Sequence, residues 1–336
     1  MKINSVLVSP LKNHNFKTNR NFQLNFYGSD VFERVQTPRL AKNFPFEENC
    51  KNFEKDLSEY VFSSSEYNFN EVRKIIKSYC PDVVVCDTSS DIVENTITSK
   101  HQNSYLQNYS LIKKGDKIDV VAKEKQMFLK APTKWDMNAK VSFFETILHE
   151  AIHMFQANSL DRSNKVEFYN RLISNQKYFN LSTYSINVLI KSWLSLQREM
   201  SPMIAKVLKD SPYPSNKINR ETTSLLFKNN SDETLKQYSR KMFDKYMKDN
   251  EYAIKIFGRE NVLEDFISEL HDEAEAYEKS NRALIKYADI DEMYGSFNAS
   301  FELVRAEIYK EILRQATIEK NKIRPFEKIL KFLKLK

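Results

Sequence analysis

The strongest constraint on the fold is a fourteen-residue stretch in the middle of the chain. It reads Phe-Phe-Glu-Thr-Ile-Leu-His-Glu-Ala-Ile-His-Met-Phe-Gln, and its apolar residues recur with the period of an α-helix. On a helical wheel, Glu145, His153 and Gln156 fall within about 40° of His149, since each residue advances about 100°. The aromatic and aliphatic residues fall on the other side. The pattern predicts a helix over 138–158 with an apolar back in the core and a polar front that carries both histidines.

This stretch also contains the motif H-E-x-x-H, formed by His149, Glu150 and His153. Residues four apart lie on one face of a helix, so the two histidines can bind one metal ion. Glu150 lies about 100° round the axis from His149, where it can reach a water molecule without binding the metal. A catalytic zinc site requires two such ligands, a general base and an open position. The alternative is a helix surface whose two histidines bind no metal.

A catalytic zinc ion takes a third protein ligand, which the motif itself does not supply. One class of enzymes finds it in the compact pattern H-E-x-x-H-x-x-G-x-x-H. Gln156 and Ser159 occupy the glycine and final histidine positions here, so that class is excluded. The candidates lie in the carboxylate-rich segment 269–277, which reads Glu-Leu-His-Asp-Glu-Ala-Glu-Ala-Tyr. They are Glu273, Glu275 and His271.

Residues 273–277 read Glu-Ala-Glu-Ala-Tyr, and residues 149–156 read His-Glu-Ala-Ile-His-Met-Phe-Gln. The first segment resembles gluzincin-type zinc metallopeptidases, in which the third ligand is a glutamate on a later helix, often in E-x-x-A followed by Asp, Asn or Tyr. The second resembles the H-E-x-x-H-x-x-Q form of bacterial zincin-like proteins, which often pair it with E-x-E-A-Y. Ala151 is a mild departure, because many relatives have a bulkier apolar residue there.

The resemblance implies a zinc-dependent peptidase with one zinc ion per chain, held by His149, His153 and Glu273. Glu150 would then be the general base, and a peptide or protein would be the substrate. Gln156 or Glu145 could hydrogen-bond a ligating histidine. A second donor for the oxyanion is usual in such sites. Tyr277, which we place in the catalytic set, His271 and Tyr294 are the candidates.

Two other functions stay open. The chain could be a non-catalytic helical binding protein with a degenerate zincin motif, or a metal-dependent hydrolase that acts on something other than peptides. The four glycines are scattered along the 336 residues, which excludes a phosphate-binding P-loop or a dinucleotide fingerprint. Such a glycine-poor chain favours long helices and few tight turns.

The net charge of +7 is concentrated at the two ends of the chain. Residues 1–45 carry seven Lys and Arg against two acidic residues, and residues 310–336 carry nine against three. The part between them, which contains the motif, is acidic, so we expect no nucleic-acid partner. A basic amphipathic helix that begins at Pro325 could contact an anionic membrane surface, but we expect it to pack on its own domain.

The three cysteines, Cys50, Cys80 and Cys86, form no C-x-x-C pair, so we expect neither a disulfide framework nor a second zinc site. We interpret them as buried residues in a reduced compartment. No run of 18 apolar residues exists, which predicts that no segment crosses a membrane. The first residues lack the apolar core of a signal peptide. The expected location is cytoplasmic, or outside the cell without a classical signal peptide.

The fold class predicted from these patterns is α+β and predominantly α-helical, with a zincin-like arrangement. We expect an extended or disordered arm over 1–45, a zincin-like lobe over 46–210 and a helical lobe over 211–336 that supplies the third ligand. Residues 88–112 are polar and predicted to be looped. The predicted strands are 82–86, 117–121 and 126–129, which form a small sheet beside the motif helix. The other predicted helices are 46–62, 68–80, 164–178, 184–208 (kinked or split at Pro202), 218–228, 231–249, 260–288, 291–318 and one from Pro325.

Overall fold

The computed structural model describes residues 44–88, 103–114, 117–158, 194–287 and 293–334. Most of these residues are helical, and a small sheet lies between the second and third helices of the sequence. The elements are α1 (Phe46–Ser63), α2 (Phe69–Tyr79), β1 (Val84–Asp87), β2 (Ser104–Lys114), β3 (Lys117–Leu129), α3 (Met137–Asn158), α4 (Leu194–Leu208), a 3₁₀ turn (Ser215–Lys217), α5 (Arg220–Asn230), α6 (Leu235–Asp249), α7 (Glu251–Phe257), α8 (Arg259–Tyr287) and α9 (Met293–Lys334).

The prediction of a mainly helical chain with a small sheet is confirmed. The arm over 1–45 lies outside the described residues except for its last two, as do the predicted helix 164–178 and the first part of 184–208. Within the described ranges, no helix combines the length and the apolar character that crossing a bilayer requires.

The sheet has the strand order β1-β3-β2. β1 pairs with β3 in parallel, with Val84 opposite Gln126, and β2 pairs with β3 antiparallel, with Ser104 opposite Phe128. The prediction of a loop over 88–112 was therefore wrong for its last part, since β2 begins at Ser104. Backbone hydrogen bonds to β3 stabilise this strand despite its polar side chains. For the same reason the two strands predicted over 117–121 and 126–129 are one continuous strand.

Local capping explains where several helices begin. Asn68 caps α2, since its side chain accepts hydrogen bonds from the amides of Asn70 and Glu71. The Thr234 side chain caps α6 in the same way and forms a reciprocal pair with Gln237. This cap places the start of α6 later than the predicted residue 231.

Two prolines lie inside helices that they were predicted to interrupt. The prediction at Pro202 was a kink or a split, and α4 runs through Pro202 without a break, so the helix is not split there. α9 runs through Pro325, so the separate last helix predicted from that residue was wrong. A proline removes one N–H donor, and each helix continues with one intrahelical hydrogen bond fewer.

Buried side chains form two hydrophobic clusters. One packs α1, α2 and the back of α3, and the other packs α4 to α9. α8 contributes to both, with Leu270 and Ala274 in the second cluster and Ala283 and Leu284 in the first. The helix that carries the predicted third ligand is therefore fixed on two sides.

An aromatic cluster supports the back of α3 close to the motif. Phe155 is fully buried, and its ring centroid lies 5.6 Å from that of Phe53, 6.1 Å from Phe44 and 6.2 Å from Tyr79. The Phe53 ring meets it edge to face, at 81°. These contacts fix the end of α3 against α1 and α2.

We predict that Phe155→Ala lowers the free energy of unfolding by about 3–5 kcal/mol, because it leaves a cavity in this cluster. Urea denaturation followed by circular dichroism measures the change. The matched control is Phe297→Ala, whose side chain is 47% exposed, and which should cost at most about 1 kcal/mol. Equal effects of the two substitutions would contradict the packing described for α3.

Candidate metal centre

α3 places its two histidines on the face opposite its apolar back. The back is buried because it packs on α1 and α2. The predicted polar front is also largely covered: His149 is 8% exposed and Gln156 only 2%. α8 provides this cover, as it packs along the same face. The motif therefore lies at a helix–helix contact.

α8 brings Glu273 to the histidine pair. One carboxylate oxygen of Glu273 lies 3.3 Å from Nε2 of His153, and the other lies 3.6 Å from Nε2 of His149. The two Nε2 atoms are 3.1 Å apart, and the imidazole planes meet at 83°. Across the described ranges, these three residues are the one group of three or more His, Cys, Asp or Glu close enough to hold a metal ion.

The spacing of these donor atoms suits a small tetrahedral ion. Zinc binds nitrogen and oxygen ligands at about 2.0–2.2 Å, and tetrahedral angles then separate the donor atoms by about 3.3–3.6 Å. The two Nε2 atoms are 3.1 Å apart, and the two oxygens of Glu273 face one histidine each, at 3.3 and 3.6 Å. One ligand atom from each of the three residues lies within 4.8 Å of the other two. Two imidazoles and one carboxylate are also a donor set that zinc accepts. The residues present therefore fit such an ion without a large rearrangement.

The other two candidates for the third ligand lie elsewhere. Glu275 accepts a hydrogen bond from Nε2 of Gln156, at 3.0 Å, and does not belong to the metal-binding group. The side chain of His271 is 49% exposed, and its Nδ1 lies 3.6 Å from a carboxylate oxygen of Asp272. The structure thus brings Glu273 to the histidine pair.

The charges in this group stabilise one another. Burial would raise the pKa of Glu273, but the two histidines outweigh it and hold that pKa far below its usual range. Burial would lower the pKa of His153, but the Glu273 carboxylate outweighs it and raises that pKa. A metal ion that binds here takes the place of the proton as the partner of the carboxylate.

The two histidines are held in different ways. Nδ1 of His153 is 2.8 Å from Oε1 of Gln156, as the sequence suggested for this residue. Nδ1 of His149 is buried and has no hydrogen-bond partner among the described residues. The ring of His149 instead packs on that of Tyr277, with their centroids 4.5 Å apart.

His149 and Glu150 open onto a cleft of about 710 Å³. One wall is α3, and another is the segment 130–134 that follows β3. Tyr277 and Glu302 line it from α8 and α9. The candidate base and one candidate metal ligand are therefore accessible from the same cavity.

Tyr277 lies at the junction of this cleft with the helical core. Its hydroxyl oxygen accepts hydrogen bonds from Nε2 of Gln197, at 2.9 Å, and from Arg305, at 3.4 Å. Burial, with the nearby carboxylates of Glu302 and Glu273, raises the pKa of the phenol. The phenol thus keeps its proton at neutral pH. The side chain of Tyr294, another candidate donor, is outside the described residues.

Three charged residues near the cleft form a group that the sequence did not predict: Arg305 is buried, and Glu145 and Glu302 are partly buried. Glu302 in α9 forms an ion pair with Arg305 at 2.8 Å, and burial raises the pKa of Glu302 to about 7. Arg305 also lies over the Tyr277 ring, 5.2 Å from its centroid. Glu145, a predicted hydrogen-bond partner of a histidine, forms a side-chain hydrogen bond with Asn281, and burial raises the pKa of Glu145. An i, i+3 acid–base pair is common on helices, so the sequence held no signal for this cluster.

The comparisons with known proteins add nothing to this geometry. No family model, no curated protein and no solved structure matches the chain. The interpretation of the site therefore depends on its own residues.

We predict that the purified chain binds about one zinc ion, because two imidazoles and a carboxylate converge at ligand spacing. His149→Ala, His153→Ala and Glu273→Ala should each reduce the bound zinc to a small fraction, as measured by elemental analysis after dialysis. The matched control is His271→Ala, which removes an exposed histidine next to the site in sequence. Zinc retained by the Glu273 variant, or lost from the control, would contradict the assignment.

Proposed function

We propose that this protein is a zinc-dependent metallopeptidase of the gluzincin type. One observation carries the proposal. His149, His153 and Glu273 converge at the spacing of metal ligands, and His149 opens with Glu150 onto a cleft. A metal that only stabilised the fold would be expected to have four protein ligands and a closed site. Within the described residues the group has three, which leaves a position for water or substrate.

The arrangement of elements is consistent with a zincin-like fold. A small mixed sheet precedes the motif helix, and β2 contacts α3. The carboxylate ligand comes from a later helix, α8, as the resemblance to gluzincins implies. The donor set of two nitrogens and one oxygen suits first-row transition metals such as zinc or Fe²⁺, whereas calcium and magnesium prefer oxygen ligands. Among these metals, the H-E-x-x-H motif on a helix favours zinc.

Glu150 has the position of a general base. It follows His149 directly, lines the cleft and is not part of the ligand group. When bound, zinc supplies Lewis acidity, which polarises a carbonyl group and lowers the pKa of a water molecule in the open position. Glu150 would accept a proton from a water molecule at its end of the cleft and deliver it to the leaving amine.

Tyr277 is suited to donate a hydrogen bond to the oxyanion. Its hydroxyl oxygen already accepts from Gln197 and Arg305, and burial keeps the phenol protonated. Its O–H can therefore act as a donor at neutral pH. Its ring also packs on His149, so the donor is held at a fixed place relative to the ligands.

We predict that Glu150→Gln lowers peptide hydrolysis by about 10²–10⁴-fold, because an amide cannot accept the proton from water. Zinc content should stay at the wild-type level, since Glu150 does not belong to the ligand group. A quenched fluorescent peptide library followed by mass spectrometry measures cleavage and identifies the bond that is cut.

The control for this experiment is Glu48→Gln, which makes the same change at an exposed position of α1. It should leave both activity and zinc content unchanged. A wild-type chain that holds zinc but cleaves nothing in the library would contradict the peptidase proposal. It would favour a binding protein or a hydrolase with another substrate.

A further inference from the structure

We propose that Gln156 and Glu275 form a positioning clamp, which fixes the tautomer and orientation of His153 for metal binding. The clamp consists of the side chains of Gln156 and Glu275 with the backbone carbonyl of Asp272. This inference depends on the metal site of the proposed function, but not on peptide hydrolysis. It gives a distinct task to each glutamate of the Glu-x-Glu sequence on α8.

The hydrogen bonds of Gln156 determine which way its amide group points. Its Nε2 lies 2.9 Å from the backbone oxygen of Asp272 and 3.0 Å from a carboxylate oxygen of Glu275. A backbone carbonyl oxygen can only accept a hydrogen bond, and the same holds for the oxygens of an ionised carboxylate. The NH₂ group must therefore face α8, and the amide oxygen must face His153. Gln156 is 2% exposed, so solvent does not compete for these bonds.

The orientation of Gln156 in turn determines the protonation of His153. Oε1 of Gln156 lies 2.8 Å from Nδ1 of His153, and an amide oxygen can only accept. Nδ1 must therefore carry a hydrogen atom. In the neutral imidazole, Nε2 then has the free lone pair, and this atom faces His149 and Glu273. The clamp thus selects the tautomer that binds a metal through Nε2.

Glu275 serves this clamp and not the metal. Glu273 and Glu275 point about 200° apart around α8, so a single helix turn can serve two sites. Glu273 reaches the histidine pair, and Glu275 reaches the amide of Gln156. The negative charge of Glu275 polarises that amide, which strengthens the bond to Nδ1 and makes Nε2 a better ligand.

The other histidine offers an internal comparison. His149 has no hydrogen-bond partner at Nδ1 among the described residues, and packing against Tyr277 holds its ring. Loss of the clamp should therefore act on the metal through His153 and leave the position of His149 unchanged.

The test measures zinc affinity by competition with a chromophoric chelator, so it needs no substrate. Gln156→Leu and Glu275→Leu should each weaken zinc binding by about 10–100-fold. The double variant should bind no more weakly than Gln156→Leu alone, because the two residues act as one unit. Glu275→Gln should retain most of the affinity, since its amide oxygen can still accept from Gln156.

Two controls separate the clamp from a general loss of structure. Glu278 is on the same helix, and its carboxylate pairs with Arg282 and Lys310. Glu278→Ala should leave the zinc affinity unchanged. In zinc-loaded wild type, two-bond ¹H–¹⁵N spectra should show the His153 proton on Nδ1. The clamp would be overturned if the losses of zinc affinity were fully additive in the double variant, or if Gln156→Leu left the affinity unchanged. A proton on Nε2 of His153 would also overturn it.

These outcomes are distinct from failure of the proposed function. A wild-type chain that binds zinc and shows the coupled losses, but cleaves no peptide, would support the clamp and contradict the peptidase. A wild-type chain that takes up no zinc would overturn the metal site and the clamp with it.

Discussion

The interaction between the Glu273 carboxylate and the two imidazoles of α3 is the contact on which the site depends. A buried carboxylate is costly unless a positive charge or several donors compensate it. Here the partners come from His149 and His153, and the carboxylate in turn favours the positive charge on His153. The same three side chains that stabilise one another without a metal are spaced to bind one. The contact between α3 and α8 therefore stabilises the fold and also brings together the side chains that could bind a metal ion.

The geometry of the site is fixed because α3 and α8 both belong to the hydrophobic core. The residue before Gln156 is Phe155, which lies at the centre of an aromatic cluster with α1 and α2. α8 packs its apolar residues into both clusters. Metal ligands on two well-packed helices keep their positions better than ligands on loops. The hydrogen bonds of Gln156 add a polar link between the same two helices.

Local sequence patterns predicted the parts of the site that lie within one helix. The four-residue spacing of His149 and His153 and the apolar back of α3 follow from helical geometry alone. Glu273 could be placed only through a resemblance, because Glu275 and His271 were equally possible from the residues. The choice between them depends on how α8 is rotated against α3, which no local pattern states.

Several features of the fold and the site were not predicted from the sequence, for different reasons. β2 was missed because its polar side chains predicted a loop, whereas its backbone pairs with β3. Arg305 and Glu302 were missed because an i, i+3 pair on a helix has no signature of a cleft. A split at Pro202 and a new helix from Pro325 both assumed that a proline ends a helix, whereas α4 and α9 continue through these residues.

The most direct test of this account is X-ray diffraction from crystals of the zinc-loaded chain, with data on both sides of the zinc absorption edge. The account predicts one anomalous peak at about 2.0–2.2 Å from Nε2 of His149, Nε2 of His153 and an oxygen of Glu273. The position that completes the tetrahedron should face Glu150 and the cleft. No peak at this place, or a zinc ion held by the histidines with Glu273 turned away, would contradict the central claim.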